Sequence, residues 1–250
     1  MDVTAALVVA GAVVWGVVSG LLVPRALYRL AVDPDDPWRT RCPSGHPLTG
    51  PAGGWLGRTG CSPCGEKTGA YGPARTPVVL TASTCAVLAA AVGPRPELLV
   101  WVALAPFGVL LALVDLAVFR LPDVLTLPLA AVTAAGLGLV SVFPGTGSWP
   151  TALLGGLALG GSYFLLLLIN PRGMGWGDVK LALTLGQVLG WYGWPVLFAG
   201  TFVAFLAGAV HGLRLMLLRR ADRKTAMSFG PFMLAGALAG VVYGALGGPR

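Results

Sequence analysis

Apolar runs with no polar face recur along this chain at 3–23, 77–93, 98–118, 124–143, 150–169, 179–192, 195–218 and 229–246. A helix needs about 20 apolar residues to cross a hydrocarbon layer of ~30 Å, and a backbone in lipid must satisfy its own hydrogen bonds. A soluble domain cannot bury so many runs on every side. With 56% of its 250 residues apolar and 11% charged, against roughly 25% charged in soluble proteins, the chain reads as an all-α, polytopic transmembrane protein of about eight spans. The apolar content excludes intrinsic disorder. The basic residues form no single stripe, which excludes a nucleic-acid binder despite a net charge of +7. The sixth run is short, and Trp191-Tyr192-Gly193-Trp194 parts it from the seventh, which predicts a tight turn with interfacial aromatics. The 37 glycines and 20 prolines suit close helix packing. There is no internal repeat and no soluble second domain. The expected organisation is a first transmembrane helix at 1–23, a loop at 24–76 and a seven-span core at 77–250.

Sorted by loop, the bases orient the chain. One side carries Arg25, Arg29, Arg39, Arg41, Arg58, Lys67, Arg75, Arg120, Arg172, Lys180, Arg214, Arg219, Arg220, Arg223 and Lys224; the other carries Arg95 and Arg250. That is 15 of the 17 on one side, so the positive-inside rule puts 24–76 in the cytoplasm and both termini outside. Only Asp2 precedes the first run and positives follow it, the pattern of an N-out anchor rather than a cleaved signal peptide. The basic excess is thus a topology signal and implies no acidic partner.

An ionisable group inside a bilayer is costly and is usually retained for function. Of the ten acids, Asp2, Asp33, Asp35, Asp36, Glu66, Glu97 and Asp222 fall in loops or at a terminus where water is expected to reach them. The exceptions are Asp115, deep in an apolar run; Asp123, which follows Leu121-Pro122; and Asp178, which ends Gly173-Met174-Gly175-Trp176-Gly177-Asp178. All three are expected at the cytoplasmic face. Two neighbouring carboxylates can share one proton. The ionised member then takes a proton from water while the protonated member polarises a carbonyl. Gly175 and Gly177 would let a peptide backbone approach. A structural polar contact or a proton path remains an equal reading for Asp115.

Asp115 with Leu121-Pro122-Asp123-Val124-Leu125-Thr126-Leu127-Pro128, then Gly175-Trp176-Gly177-Asp178-Val179-Lys180, resembles the type IV prepilin peptidases, the GxGD-type membrane aspartic peptidases. Phe229-Gly230-Pro231-Phe232 is similar to that family's segment before its last helix, and the sixty-three residues from Asp115 to Asp178 fit its spacing. The resemblance is strong over roughly 100–250 and loose before it. It implies that Asp115 and Asp178 are the catalytic pair, activating water to cleave after a Gly at the end of a short basic leader. The substrates would be type IV pilin or pseudopilin precursors of pilus assembly or type II secretion, held by their apolar stretch in the bilayer of the bacterial inner membrane. Asp123 would support the pair or the fold. Lys180 would snorkel to the interface or tune Asp178.

Within the loop, Cys42, His46, Cys61 and Cys64 are spaced C-x3-H-x14-C-x2-C, in a compartment where disulfides are rare. Three thiolates and an imidazole suit a closed, structural zinc site. Family members with such a loop usually carry two CxxC pairs; here Gly45 stands where a Cys would be, so either His46 substitutes as the fourth ligand or the loop holds no metal. Cys85 reads as a small buried apolar residue. Many family members also methylate the new N-terminus with S-adenosylmethionine; no Gly-rich strand-to-helix motif for that cofactor is visible here, so cleavage is the firmer expectation. Asp33, Asp35 and Asp36 read either as a solvated acidic loop or as an attractor for a basic leader. A different class stays open: an ion- or proton-coupled transporter using the same aspartates, which inverted repeats would favour. A third is an inactive peptidase fold acting as a structural partner, against which both aspartates argue.

Overall fold

The structure is a computed structural model that describes residues 3–33, 36–57, 59–64, 71–72, 75–171, 173–218 and 227–247. Asp2, Asp35, Arg58, Glu66, Lys67, Arg172, Arg219, Arg220, Asp222, Arg223, Lys224 and Arg250, which belong to the charge pattern above, lie outside the described residues. The elements are helical throughout: α1 Val3–Gly20, α2 Val23–Leu30, a single turn α3 Pro51–Gly54, then α4 Arg75–Val92, α5 Glu97–Val118, α6 Asp123–Val140, α7 Trp149–Ile169, α8 Trp176–Gly190, α9 Trp194–Leu217 and α10 Gly230–Gly247.

Seven helices among the described residues (α1, α4, α5, α6, α7, α9 and α10) are long and apolar enough to cross a membrane. Leu157, Ile169, Phe198 and Phe202 are exposed on the outward faces, the surface that lipid would cover. The remaining run of the expected eight is α8. Its 15 residues reach only about 22 Å at 1.5 Å per residue, short of a hydrocarbon layer. Eleven of the 15 are buried, because α6, α7, α9 and α10 all pack against it. A helix wrapped in protein has no need to match the bilayer. The turn expected before α9 is present, with Gly193 at φ +102°. Its aromatics divide: Trp194 is exposed, whereas Trp191 is a core residue at 1% exposure instead of an interfacial anchor.

Small residues bring α7 and α8 into backbone contact. A Cβ on Gly155 would lie 2.5 Å from the Gly186 carbonyl oxygen, and one on Gly186 would strike the Gly155 carbonyl. In lipid such close van der Waals packing, rather than hydrophobic transfer, holds helices together. Gly186→Val is therefore expected to cost about 1–3 kcal/mol or more; a thermal melt in detergent unchanged by that substitution would show that the two helices tolerate separation.

Alternate connections gather at each end of the bundle. At one end Arg120 Nη1 donates to the Asp33 carbonyl at 3.4 Å, Lys180 pairs with Asp123, and Ser228 reaches Asp115. At the other, Trp101 Nε1 donates to Tyr192 Oη at 3.0 Å and Arg95 Nη2 to the Ala245 carbonyl at 2.9 Å. Burial corrects the expected division of the acids. Glu97 is 1% exposed, with its Oε1 3.6 Å from Arg95 Nε, because the chain doubles back between α4 and α5 and tucks the first turn of α5 inward. Asp123, read from the sequence as the carboxylate at the start of a span, does open α6, and its side chain is 64% exposed there. Cys85 is fully buried, as expected. The 24–76 segment is not all loop: α2 packs its Val23, Ala26, Leu27 and Leu30 with Leu110 and Val114 of α5.

Candidate functional site

Asp115 stands in the last turn of α5. That helix stops at Phe119, whose left-handed backbone (φ +52°) returns its N–H to the Asp115 carbonyl at 2.8 Å. Such a conformation is uncommon for a non-glycine residue, and it turns the chain at once into Leu121-Pro122 and α6. The Asp115 carboxylate is 5% exposed, and a single oxygen, Oδ2, accepts from Ser228 Oγ at 2.5 Å and from the Gly230 N–H at 2.9 Å.

Asp178 is the third residue of α8. Gly175 caps that helix in an extended conformation, and its N–H donates to Asp178 Oδ2 at 3.1 Å. The side chain thus satisfies one orphan donor of the helix start. Gly177 has a different job from the one its sequence suggests. A Cβ there would lie 2.6 Å from Leu121 Cβ, so its missing side chain is the space into which the α5–α6 connection packs, not an opening for a peptide. That contact carries Asp178 to the same end of the bundle as Asp115. The two carboxylates are within electrostatic reach of each other, and Tyr163 of α7 is within reach of Asp178. Leu111, Leu121, Tyr163 and Val179 belong to one buried apolar cluster, with Met174 and Phe229 packed against it. A largely apolar cavity of about 350 Å³ runs along α4, α5, α8 and α10, with Leu116 and Pro231 of its lining beside Asp115 and Gly230.

Lys180 Nζ lies 2.6 Å from Asp123 Oδ2. The pair joins the first turns of α6 and α8. Ser228 was missed altogether. Only its position next to Phe229-Gly230-Pro231 could have pointed to it, and a lone serine at the edge of an apolar run gives no such signal.

The metal-type cluster lies in the segment after α2. Cys42, His46, Cys61 and Cys64 bring one ligand atom each to within 4.8 Å of all the others. Gly45, at φ +85°, makes the tight turn that lets the Cys42 N–H bond the His46 carbonyl at 2.8 Å. This small hairpin swings His46 Nδ1 inward, 3.7 Å from Cys42 Sγ, 3.7 Å from Cys61 Sγ and 3.2 Å from Cys64 Sγ. Cys42 and Cys64 Sγ are 3.8 Å apart. A tetrahedron with Zn–S near 2.3 Å has edges of about 3.8 Å, so the donor set fits a tetrahedral ion, and no disulfide joins the thiols. Burial pushes the Cys42 thiol up, but hydrogen bonds from the His46 backbone and ring, from Cys61 and from the Ser44 backbone bring it down to about 6. Burial and the neighbouring thiols Cys64 and Cys42 push Cys61 up to about 11. The cluster could bind a metal. Asp33 and Asp36 line a separate cleft of about 350 Å³ with Arg39 and Val118, three residues beyond Asp115.

Residues 102–213 match the type IV leader peptidase family. The chain is 34% identical over 248 residues to a protein of Aeromonas hydrophila named prepilin leader peptidase/N-methyltransferase, covering 86% of this chain and 79% of that one. A protein of the same name from Aeromonas salmonicida (strain A449) is 34% identical over 223 residues, 80% of this chain and 70% of that one. Another, from Pseudomonas putida, is 32% identical over 196 residues, 74% and 62% respectively. No solved structure matches the chain.

Proposed function

The chain belongs to the type IV leader peptidase family, a multi-pass membrane peptidase, and from that premise we propose that it cleaves the leaders of type IV prepilins or pseudopilins through Asp115 and Asp178. The observation that carries this reading is the convergence of the two buried carboxylates at one end of the bundle, each held by its own donors. On this reading the two share one proton, since neighbouring carboxylates resist ionising together. The ionised carboxylate takes a proton from water as it attacks the scissile carbonyl, and the protonated one gives its proton to the carbonyl oxygen. The bond cut follows a Gly at the end of a basic leader, and the apolar stretch beyond it stays in the bilayer. The cavity beginning at Leu116 and Pro231 supports an apolar neighbour to the cut bond.

The charge pattern supports an inner-membrane orientation with the aspartate end and the 24–76 segment in the cytoplasm and the N-terminus out. On this reading 1–23 is an anchor helix, 24–76 holds a structural zinc through Cys42, His46, Cys61 and Cys64, and 77–250 is the peptidase core. Zinc there would tie the hairpin to the Cys61–Cys64 turn and take no part in cleavage. The relatives' name also carries an N-methyltransferase activity. No step at the aspartate site is assigned to S-adenosylmethionine. A transporter reading needs carboxylates near the bilayer midplane and repeats; both aspartates sit at a helix end instead.

Detergent-solubilised protein incubated with a prepilin bearing a basic leader, a Gly before the cut and an apolar stretch should yield the mature N-terminus by mass spectrometry. Failure to cut any such substrate would overturn the reading; labelled S-adenosylmethionine in the same tube reads methylation separately. Lys180→Met should change cleavage by less than about threefold, since an ion pair with one partner in water contributes about 0–1 kcal/mol. A loss of a hundredfold would place Lys180 in the chemistry.

A further inference from the structure

The two aspartates are not equivalent, and the difference lies in a residue outside the recognised motifs. Both carboxylates meet a helix start: Asp178 lies in the first turn of α8, and Asp115 accepts from the N–H of Gly230, the first residue of α10. Helix dipoles favour an anion at both places and so do not separate them. Each also accepts one backbone N–H, at 3.1 Å for Asp178 and 2.9 Å for Asp115. What remains among the described residues is the Ser228 hydroxyl, 7% exposed, which donates to Asp115 Oδ2 at 2.5 Å. Donors to a carboxylate favour its ionised form, and a donor to a charged group counts for about twice a neutral one.

We infer that Ser228 is the positioning residue that makes Asp115 the ionised, water-activating member of the pair and leaves the shared proton on Asp178. This rests on the peptidase reading above and assigns its roles. Oδ2 of Asp115 is filled by two donors, which turns Oδ1 to the water. The water oxygen bonds to the scissile carbonyl carbon while its proton moves to Asp115 and the Asp178 proton moves to the carbonyl oxygen. The tetrahedral diol then breaks its C–N bond as Asp115 passes its proton to the leaving nitrogen. One diol hydroxyl returns a proton to Asp178, and both residues are restored.

Other ionisable groups on the helices packed against α5 are engaged elsewhere. On α2, Arg29 stacks on Trp55 at 4.1 Å and donates to the Gly53 carbonyl, Arg25 donates to the Thr49 carbonyl and Tyr28 to the Arg41 carbonyl; Asp123 of α6 pairs with Lys180. On α4, Cys85 is buried in a different apolar cluster and Arg75 is exposed at the first turn. The described part of α1 has none, and Tyr243 of α10 lies thirteen residues beyond Gly230. Among the described residues, Asp178 is in electrostatic range, with Tyr163 behind it.

The test is the pH dependence of prepilin cleavage by the full chain in detergent, for the wild type, Ser228→Ala, Ser228→Cys and Ser228→Thr. Removing a donor from the ionised form raises the pKa of the base, so the acid limb of kcat/KM should move to higher pH in the Ala variant by about one unit. One unit corresponds to about 1.4 kcal/mol, or roughly tenfold slower cleavage below the limb, with the plateau little changed. Cys keeps the volume with a weaker donor and should shift the limb in the same direction; Thr keeps the hydroxyl and should hold the wild-type limb. A cleaving Ala or Cys variant with an unmoved limb overturns the inference, and so does a Thr variant shifted as far as Ala. The reading beneath it fails differently, by cleavage that survives Asp115→Asn in the same preparation.

Discussion

Asp115→Asn and Asp178→Asn should each lower the rate of prepilin cleavage by about a thousandfold, within the range of 10²–10⁴ for a positioned acid or base. Asn is close in shape to Asp and retains an acceptor oxygen. In the first variant that oxygen still receives the Ser228 hydroxyl and the Gly230 N–H; in the second it still receives the Gly175 N–H. The fold should therefore survive, and replacing a buried carboxylic group with an amide should leave the melting temperature equal or higher. Loss of activity without loss of stability separates a chemical role from a structural one. The double variant should be no slower than either single one, because groups acting as a unit are strongly non-additive. If each single variant cuts at the wild-type rate, the aspartate mechanism is wrong. If only one is impaired, a single carboxylate acts without its partner and the shared proton is excluded.

The second large effect is expected at the Cys/His cluster. Purified protein should carry about one zinc per chain, and Cys61→Ser or His46→Ala should weaken its binding by roughly a hundredfold. Structural zinc contributes apparent energies of about 10–16 kcal/mol, so one ligand of four is worth about 3 kcal/mol, and 1.4 kcal/mol is tenfold. The sign of the pH effect follows from the thiols. Metal ligation needs thiolates, and Cys61 is pushed up to about 11 by burial and its neighbours, so zinc must displace its proton and affinity should fall as pH falls. Cys42, brought down to about 6 by hydrogen bonds that outweigh burial, should supply the first thiolate at neutral pH. Chelation should expose the hairpin to protease while leaving cleavage by the aspartate pair within a few-fold, since no contact from the cluster to either aspartate is needed for the chemistry. Metal content unchanged in His46→Ala would remove His46 from the ligand set; chelation that abolished cleavage would give the metal a role at the active site.

The parts of this protein legible from residue order are those whose physics is local. Crossing a bilayer requires a continuous apolar run, so each spanning helix could be bounded from its own residues. The spacing of Cys42, His46, Cys61 and Cys64 along one short segment likewise announced a group that could hold a metal, and the structure brings their ligand atoms within 4.8 Å of one another. Asp115 and Asp178 stood out because a carboxylate in an apolar run is rare enough to demand a reason. In each case the signal lies within a few tens of residues.

The tertiary structure decided everything that depends on which helices meet. Ser228 and Asp115 are 113 residues apart in the chain, and nothing in the local sequence of either marks the other. Glu97 sits in what reads as a loop, yet the reversal before α5 buries it; Asp123, in a more apolar setting, is left exposed and paired with Lys180. Gly177 looked like an opening for substrate and is a packing site for Leu121. The length of α8 would be a defect in lipid and is tolerated because other helices surround it. Hydropathy along a chain records how much surface must avoid water, and that much the sequence determined alone. Which apolar surface meets lipid and which meets another helix, and which donor faces a given carboxylate, depends on non-local packing, so these became visible only in the folded bundle.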